Sequence, residues 1–190
     1  MEAVDTIRPG PSFHGVVDPA TPKLLVPLAR LLILINRGVL FLGMLALLAA
    51  SLVLTSSVVS RYFLKASTDW QDEASVFCLV GATFLCGAFV QSIRGHVGIE
   101  AIASVLSPAV NRLRQCAVDL ICMLFCAFFA WKSWTLLHEA WVDGQTTSST
   151  WGPPLWIPYL MMSLGMTLLA IQLLVQSTAS LNRLRQPGLA

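Results

Sequence analysis

An all-α integral membrane protein with four transmembrane helices is the fold class this sequence predicts, on three observations. Of 190 residues, 56% are hydrophobic and only 12% charged, and the mean hydropathy is +0.72; a water-soluble domain carries about a quarter charged residues to wet its surface. Four stretches are apolar and long enough to cross a hydrocarbon core of roughly 30 Å, which takes about 20 helical residues. The Lys and Arg residues gather on one side of those stretches. An ordinary soluble enzyme is excluded, and the near balance of 12 basic and 10 acidic residues, a formal charge of +2, offers no footing for nucleic acid.

Residues 1–22, with Pro9, Pro11, Pro19 and Pro22, read as a mobile cytoplasmic tail. They lack the charged start, apolar stretch and small-residue cleavage site of a secretory signal, so the first span is expected to be retained. A single membrane domain is expected over residues 23–177 and a second cytoplasmic tail over 178–190. Lys23, Arg30 and Arg37 recur every seven residues beside Leu24, Leu28, Leu31, Leu32 and Ile35. That pattern gives a helix one basic and one oily face, which either lies on the inner membrane surface or simply extends span one.

Span one falls between Arg37 and Arg61, and span two between Glu73 and Arg94. Span three, about Gln115 to Leu137, is interrupted by Asp119 and Lys132, whereas span four, about Leu155 to Val175, carries no formal charge. Backbone facing lipid must satisfy its own hydrogen bonds, so each span is expected to be helical. Between spans two and three, Ile99, Ile102, Val105, Leu106, Val110 and Leu113 fall three or four apart. They predict a second amphipathic interfacial helix over Ile99 to Arg114, bent by Pro108. With the N-terminus inside, the inner segments hold Arg8, Lys23, Arg30, Arg37, Arg94, Arg112, Arg114, Arg183 and Arg185, and the outer loops hold Arg61 and Lys65. That bias places both termini in the cytoplasm.

The five cysteines all lie within predicted spans, with no C-x-x-C pair and no His at metal spacing. Ala74, Cys78, Ala82 and Cys86 form a ridge four residues apart, as do Cys122, Cys126 and Ala130, and small ridges let membrane helices approach closely. His96 and His138 fall at opposite membrane faces, too far apart to share a haem or metal. No catalytic constellation is present, and no cofactor is expected on this chain.

The informative residues sit near the membrane surfaces. Arg61 and Tyr62 close span one, and Trp70, Asp72 and Glu73 open span two. Tyr and Trp suit the interface, and acids suit the first turn of a helix. Thr68 with Gln71 three residues on has the form of a capping box. Lys132 lies several residues below the outer end of span three, so a counter-charge is expected, from Glu73, Glu139 or a partner subunit. For Asp119, water access or Arg112 and Arg114 are the expected compensation.

The run Arg61-Tyr62, Trp70, Glu73, Phe84-Leu85-Cys86-Gly87-Ala88 and Arg94-Gly95-His96-Val97-Gly98-Ile99-Glu100 resembles the small permease subunit of TRAP-type transporters, the DctQ-like family. Thr146 to Thr150 followed by Pro154-Leu155-Trp156-Ile157-Pro158-Tyr159 and Gly165 is similar to the start of that family's last span, and the likeness covers roughly Lys23 to Gln176. Cys86 interrupts the usual Phe-Leu-Gly-Ala, and Glu100 stands where Asp is usual. The resemblance implies a subunit in the bacterial inner membrane that scaffolds a large DctM-like permease subunit. That partner would carry out sodium-coupled uptake of an organic acid handed over by a periplasmic DctP-like binding protein. Arg61, Tyr62, Trp70, Glu73, His96, Glu100, Lys132, Trp156 and Tyr159 become candidate structural or partner-contact residues.

Two other classes compete. A membrane anchor of a redox enzyme needs paired His or Met ligands at equal depth, against which the histidine placement argues. A small self-sufficient exporter needs an ionisable group in a substrate cavity, and only Asp119 and Lys132 lie within spans.

Overall fold

A computed structural model describes residues 21–65, 67–93 and 107–185. Four helices in it are long and apolar enough to cross a membrane. Helix α1 (Val26–Val59) is entered through a 3-10 turn at Lys23–Leu25 and left through a π-turn at Ser60–Leu64. It is followed by α2 (Asp69–Ser92), α3 (Pro108–Val142) and α4 (Trp156–Arg185).

Prolines mark where the helices begin. A proline near the N1 position loses no hydrogen bond, because the first N–H groups of a helix lack intrahelical partners anyway. Pro27 and Pro158 lie in the first turns of α1 and α4. Pro108 opens α3 behind Ser107, whose extended backbone and hydroxyl, accepting from the Val110 N–H at 3.5 Å, form the cap. Ser107 therefore divides the amphipathic stretch expected as one helix over Ile99 to Arg114. Its second part is the start of α3, and residues 99–106 lie outside those described.

The basic segment from Lys23 to Arg37 is not a separate element. It continues unbroken into α1, giving 42 helical residues from Lys23 to Leu64, about 63 Å at 1.5 Å per residue. That is about twice the hydrocarbon thickness, so the helix must tilt or project beyond the core. At the other terminus α4 runs to Arg185, through the first part of the expected tail, and Ala179 and Ser180 are buried there.

The helices pack in the order α1, α2, α4, α3, with α1 and α4 meeting only near the start of α1. Residue partners give the directions. Between α2 and α4, Gly81 meets Met161, Gly87 meets Leu169 and Gln91 meets Gln176, so both chains descend together. Between α1 and α2, Gly43 meets Cys86 while Ser57 meets Asp72, and these two run antiparallel. Between α3 and α4, Asp119 meets Ser180 while Trp134 meets Thr167, again antiparallel. The result is an open row rather than a closed bundle. Only 11% of the most apolar stretch of α1 and of α3 is buried, against 28% in α2 and 33% in α4, as expected for the ends and middle of a row.

Small residues allow the close contacts. A Cβ at Gly43 would strike Cys86 Sγ, and one at Gly165 would strike the Phe84 carbonyl and come 3.0 Å from the Leu85 nitrogen. Cys126 and Ala130 of α3 pack with Met166 and Leu173 of α4, so the second ridge read from the sequence faces the interior, although Cys122 at its end is exposed. All five cysteines are free.

Candidate functional site

The end of α1 and the start of α2 are tied by one polar knot. The π-turn widens the last turn of α1 and presents Arg61, and Lys65 then breaks the chain direction in a left-handed conformation at φ 50°. Arg61 Nη2 lies 2.7 Å from Asp72 Oδ2 and donates at 2.7 Å to Thr68 Oγ1, while Ser57 Oγ donates at 2.9 Å to Asp72 Oδ1. The capping box does not form. Thr68 is the N-cap of α2, but its side chain caps nothing, because the hydroxyl is taken by the guanidinium.

The acid that holds Arg61 is thus Asp72 and not its neighbour Glu73. Asp72 lies three residues before Ser75, which together with Ala82 and Phe89 is buried. It shares the face of small residues that α2 turns inward, a signal readable from spacing alone. Glu73 is half-buried, and its Oε2 has no hydrogen-bond partner.

The loop after α3 joins the same rim. Gly144 and Gly152 supply positive φ, Thr147 N–H donates to the Pro153 carbonyl at 3.0 Å, and Leu155 N–H donates to the Gln145 carbonyl at 2.9 Å. Thr150 then donates at 2.9 Å to Asp69 Oδ2. Ser67, Asp69, Trp70, Thr150 and Trp151 line a shallow cleft of about 320 Å³. Tyr62 is exposed and meets Phe63 edge-on at 5.2 Å. Trp156 meets Trp141 edge-on at 5.1 Å, where α3 ends and α4 begins. Tyr159, in the first turns of α4, is half-buried, and its carbonyl accepts from Ser163 Oγ at 2.7 Å. Arg61 and Trp70 are therefore brought to one rim, with Trp156 and Tyr159 on the adjoining helix end. His96 and Glu100 lie outside the described residues.

Of the counter-charges expected for Lys132, the two within this chain do not reach it. It is exposed on α3, with its ammonium 5.1 Å from the centroid of the Trp131 ring. Neither Glu73 nor Glu139 pairs with it, and the rim's ion pair is Arg61–Asp72. The reason is topological: α4 lies between α3 and α2, and Glu139 stands two helical turns further along α3.

Towards the opposite end, a buried polar seam crosses the row. Asn36 Nδ2 of α1 donates to Gln172 Oε1 of α4 at 3.4 Å. Gln91 Nε2 of α2 donates to Gln176 Oε1 at 2.7 Å, and Gln176 Nε2 returns a bond to the Gln91 carbonyl at 2.9 Å. Ser180 Oγ donates to Asp119 Oδ2 of α3 at 2.6 Å. Asp119 is buried, so Ser180 rather than open water is one of its partners, while Arg114 turns to Asn111. Sequence reasoning that searched for formal charge missed this seam. Its signal was neutral amides inside apolar runs, which cost free energy in lipid unless paired across helices.

Among the described residues, no three His, Cys, Asp or Glu side chains are placed to hold a metal ion. No curated protein and no solved structure matches the chain. One family model does, over residues 50–183, described as the DctQ component of tripartite ATP-independent periplasmic transporters. That match takes in α2, α3, nearly all of α4 and the last turns of α1, so the whole rim and most of the row fall within it. The chain therefore belongs to the DctQ family: it is the small membrane component of a TRAP transporter, and not an enzyme.

Proposed function

We propose that this chain is a scaffold for the large permease subunit of its transporter, which takes up an organic acid with sodium after an extracytoplasmic binding protein delivers it. The observation that carries the reading is the open row. Its end helices α1 and α3 bury only 11% of their most apolar stretches, which leaves broad oily faces for a larger membrane partner or lipid. Polar side chains inside the row pair with one another across helices and so tie the row together. The knot of Arg61, Thr68 and Asp72, with Thr150 on Asp69, steadies the rim on which a binding protein would land.

The positive-inside bias supports an inner-membrane protein with both termini cytoplasmic and this rim facing the periplasm. The test is reconstitution. Liposomes holding this chain, the large subunit and the binding protein should take up substrate down an imposed sodium gradient, and liposomes lacking either membrane chain should not. Uptake by the large subunit alone at the full rate would refute the scaffold. A cysteine introduced at Gln145 should react with an impermeant thiol reagent from outside, and protection there would reverse the orientation.

A further inference from the structure

The buried side of α3 is set by Asp119, Cys126, Ala130, Ser133 and Ala140, which recur at three, four or seven residues and face α4. The opposite side is exposed and oily, with Leu124, Phe125, Phe128 and Trp131 around a single cation, Lys132. Six residues separate Lys132 from His138 and nine from Trp141, whose ring pairs with Trp156 at the outer end. At 1.5 Å per residue the lysine Cα sits about 9 Å below His138, the next ionisable side chain towards that end, and about 13 Å below that aromatic pair. Its Cβ leans towards the helix N-terminus, away from the outer surface. The ammonium rests over Trp131 instead of reaching outwards.

We propose that this face of α3 docks a membrane-spanning helix of the large permease subunit, and that the helix carries an aspartate or glutamate at the depth of Lys132. The inference rests on the scaffold reading above and names the surface through which it works. An ammonium in hydrocarbon requires a counter-charge, and this chain supplies none at that place. Two other occupants fit less well. A lipid phosphate lies at the headgroup level, which the lysine would reach only by reversing its lean. A second copy related by a two-fold axis along the membrane normal would set Lys132 against Lys132, and like charges repel most where water is scarce.

The test co-expresses the full chain with the large subunit and reads two quantities. In the first, a photo-crosslinking side chain at Phe128, with Lys132 intact, should yield an adduct with the large subunit; adducts only with lipid or with a second copy would overturn the proposal. In the second, co-purification in mild detergent should be retained by Lys132→Arg, fall about tenfold with Lys132→Met and fall further with Lys132→Asp. Changing the matching acid of the large subunit to lysine should restore the Lys132→Asp complex. Recovery unaffected by Lys132→Asp overturns the proposal alone, whereas an unaltered chain that retains no large subunit overturns the scaffold reading beneath it.

Discussion

Gly43→Ala combined with Cys86→Ala tests whether the cysteines of α2 act by size. A methyl at Gly43 would collide with Cys86 Sγ, yet its next neighbours, the Ala82 Cα and carbonyl oxygen, stand at 3.9 and 4.0 Å, ordinary contact distances. The obstacle is one sulfur atom. Forcing a methyl into a packed contact costs about 1–3 kcal/mol, offset by about 0.5–1 kcal/mol because alanine is the better helix former. The net cost of Gly43→Ala should therefore lie between about 0 and 2.5 kcal/mol. Cys86→Ala removes the sulfur and its weak bond to the Val39 carbonyl at 3.9 Å, a loss of about 1 kcal/mol. With the sulfur gone the methyl fits, so the double variant should be more stable than the sum of the single changes by about 1–3 kcal/mol, a coupling typical of residues in contact. Reversible unfolding of the four proteins in mixed micelles, followed by tryptophan fluorescence, measures it. Additive effects, with coupling below about 0.5 kcal/mol, would refute the steric account.

At the rim, Asp72→Asn should loosen Arg61 while Glu73→Gln leaves it in place. Faster tryptic cleavage after Lys65 in the first variant only is the expected outcome, and equal rates in both would mean that Asp72 does not hold the turn. At Lys65, whose φ of 50° suits glycine, Lys65→Val should be less stable than Lys65→Gly by about 1–2 kcal/mol in the same unfolding assay; indistinguishable stabilities would show that the left-handed turn imposes no constraint.

The spans were legible because hydropathy and length decide what crosses a bilayer, whatever the packing. Helix ends were less so. Oily residues mark the part of a helix that lipid covers, whereas backbone hydrogen bonds carry α3 back to Pro108 and α4 on to Arg185 through polar sequence. Lys132 was recognised as anomalous from its depth, but its neighbours depend on which helices adjoin, and the order α1, α2, α4, α3 is not written in any local pattern. Arg61, Asp72 and Glu73 all stand out in the sequence at the same rim, and the spacing to Ser75 is what singles out Asp72 as the acid that Arg61 meets. Asn36, Gln91, Gln172 and Gln176 were passed over because neutral amides add nothing to a charge count.

A slab of helices whose end members are so little covered makes the surrounding amphiphile a structural component. A bilayer offers such a slab a plane to lie across, whereas a small micelle wraps it with curvature that pries at its outermost members. The shape of the solvent thus acts on this fold directly, and an isolated slab should hold its form better in a lipid disc than in detergent.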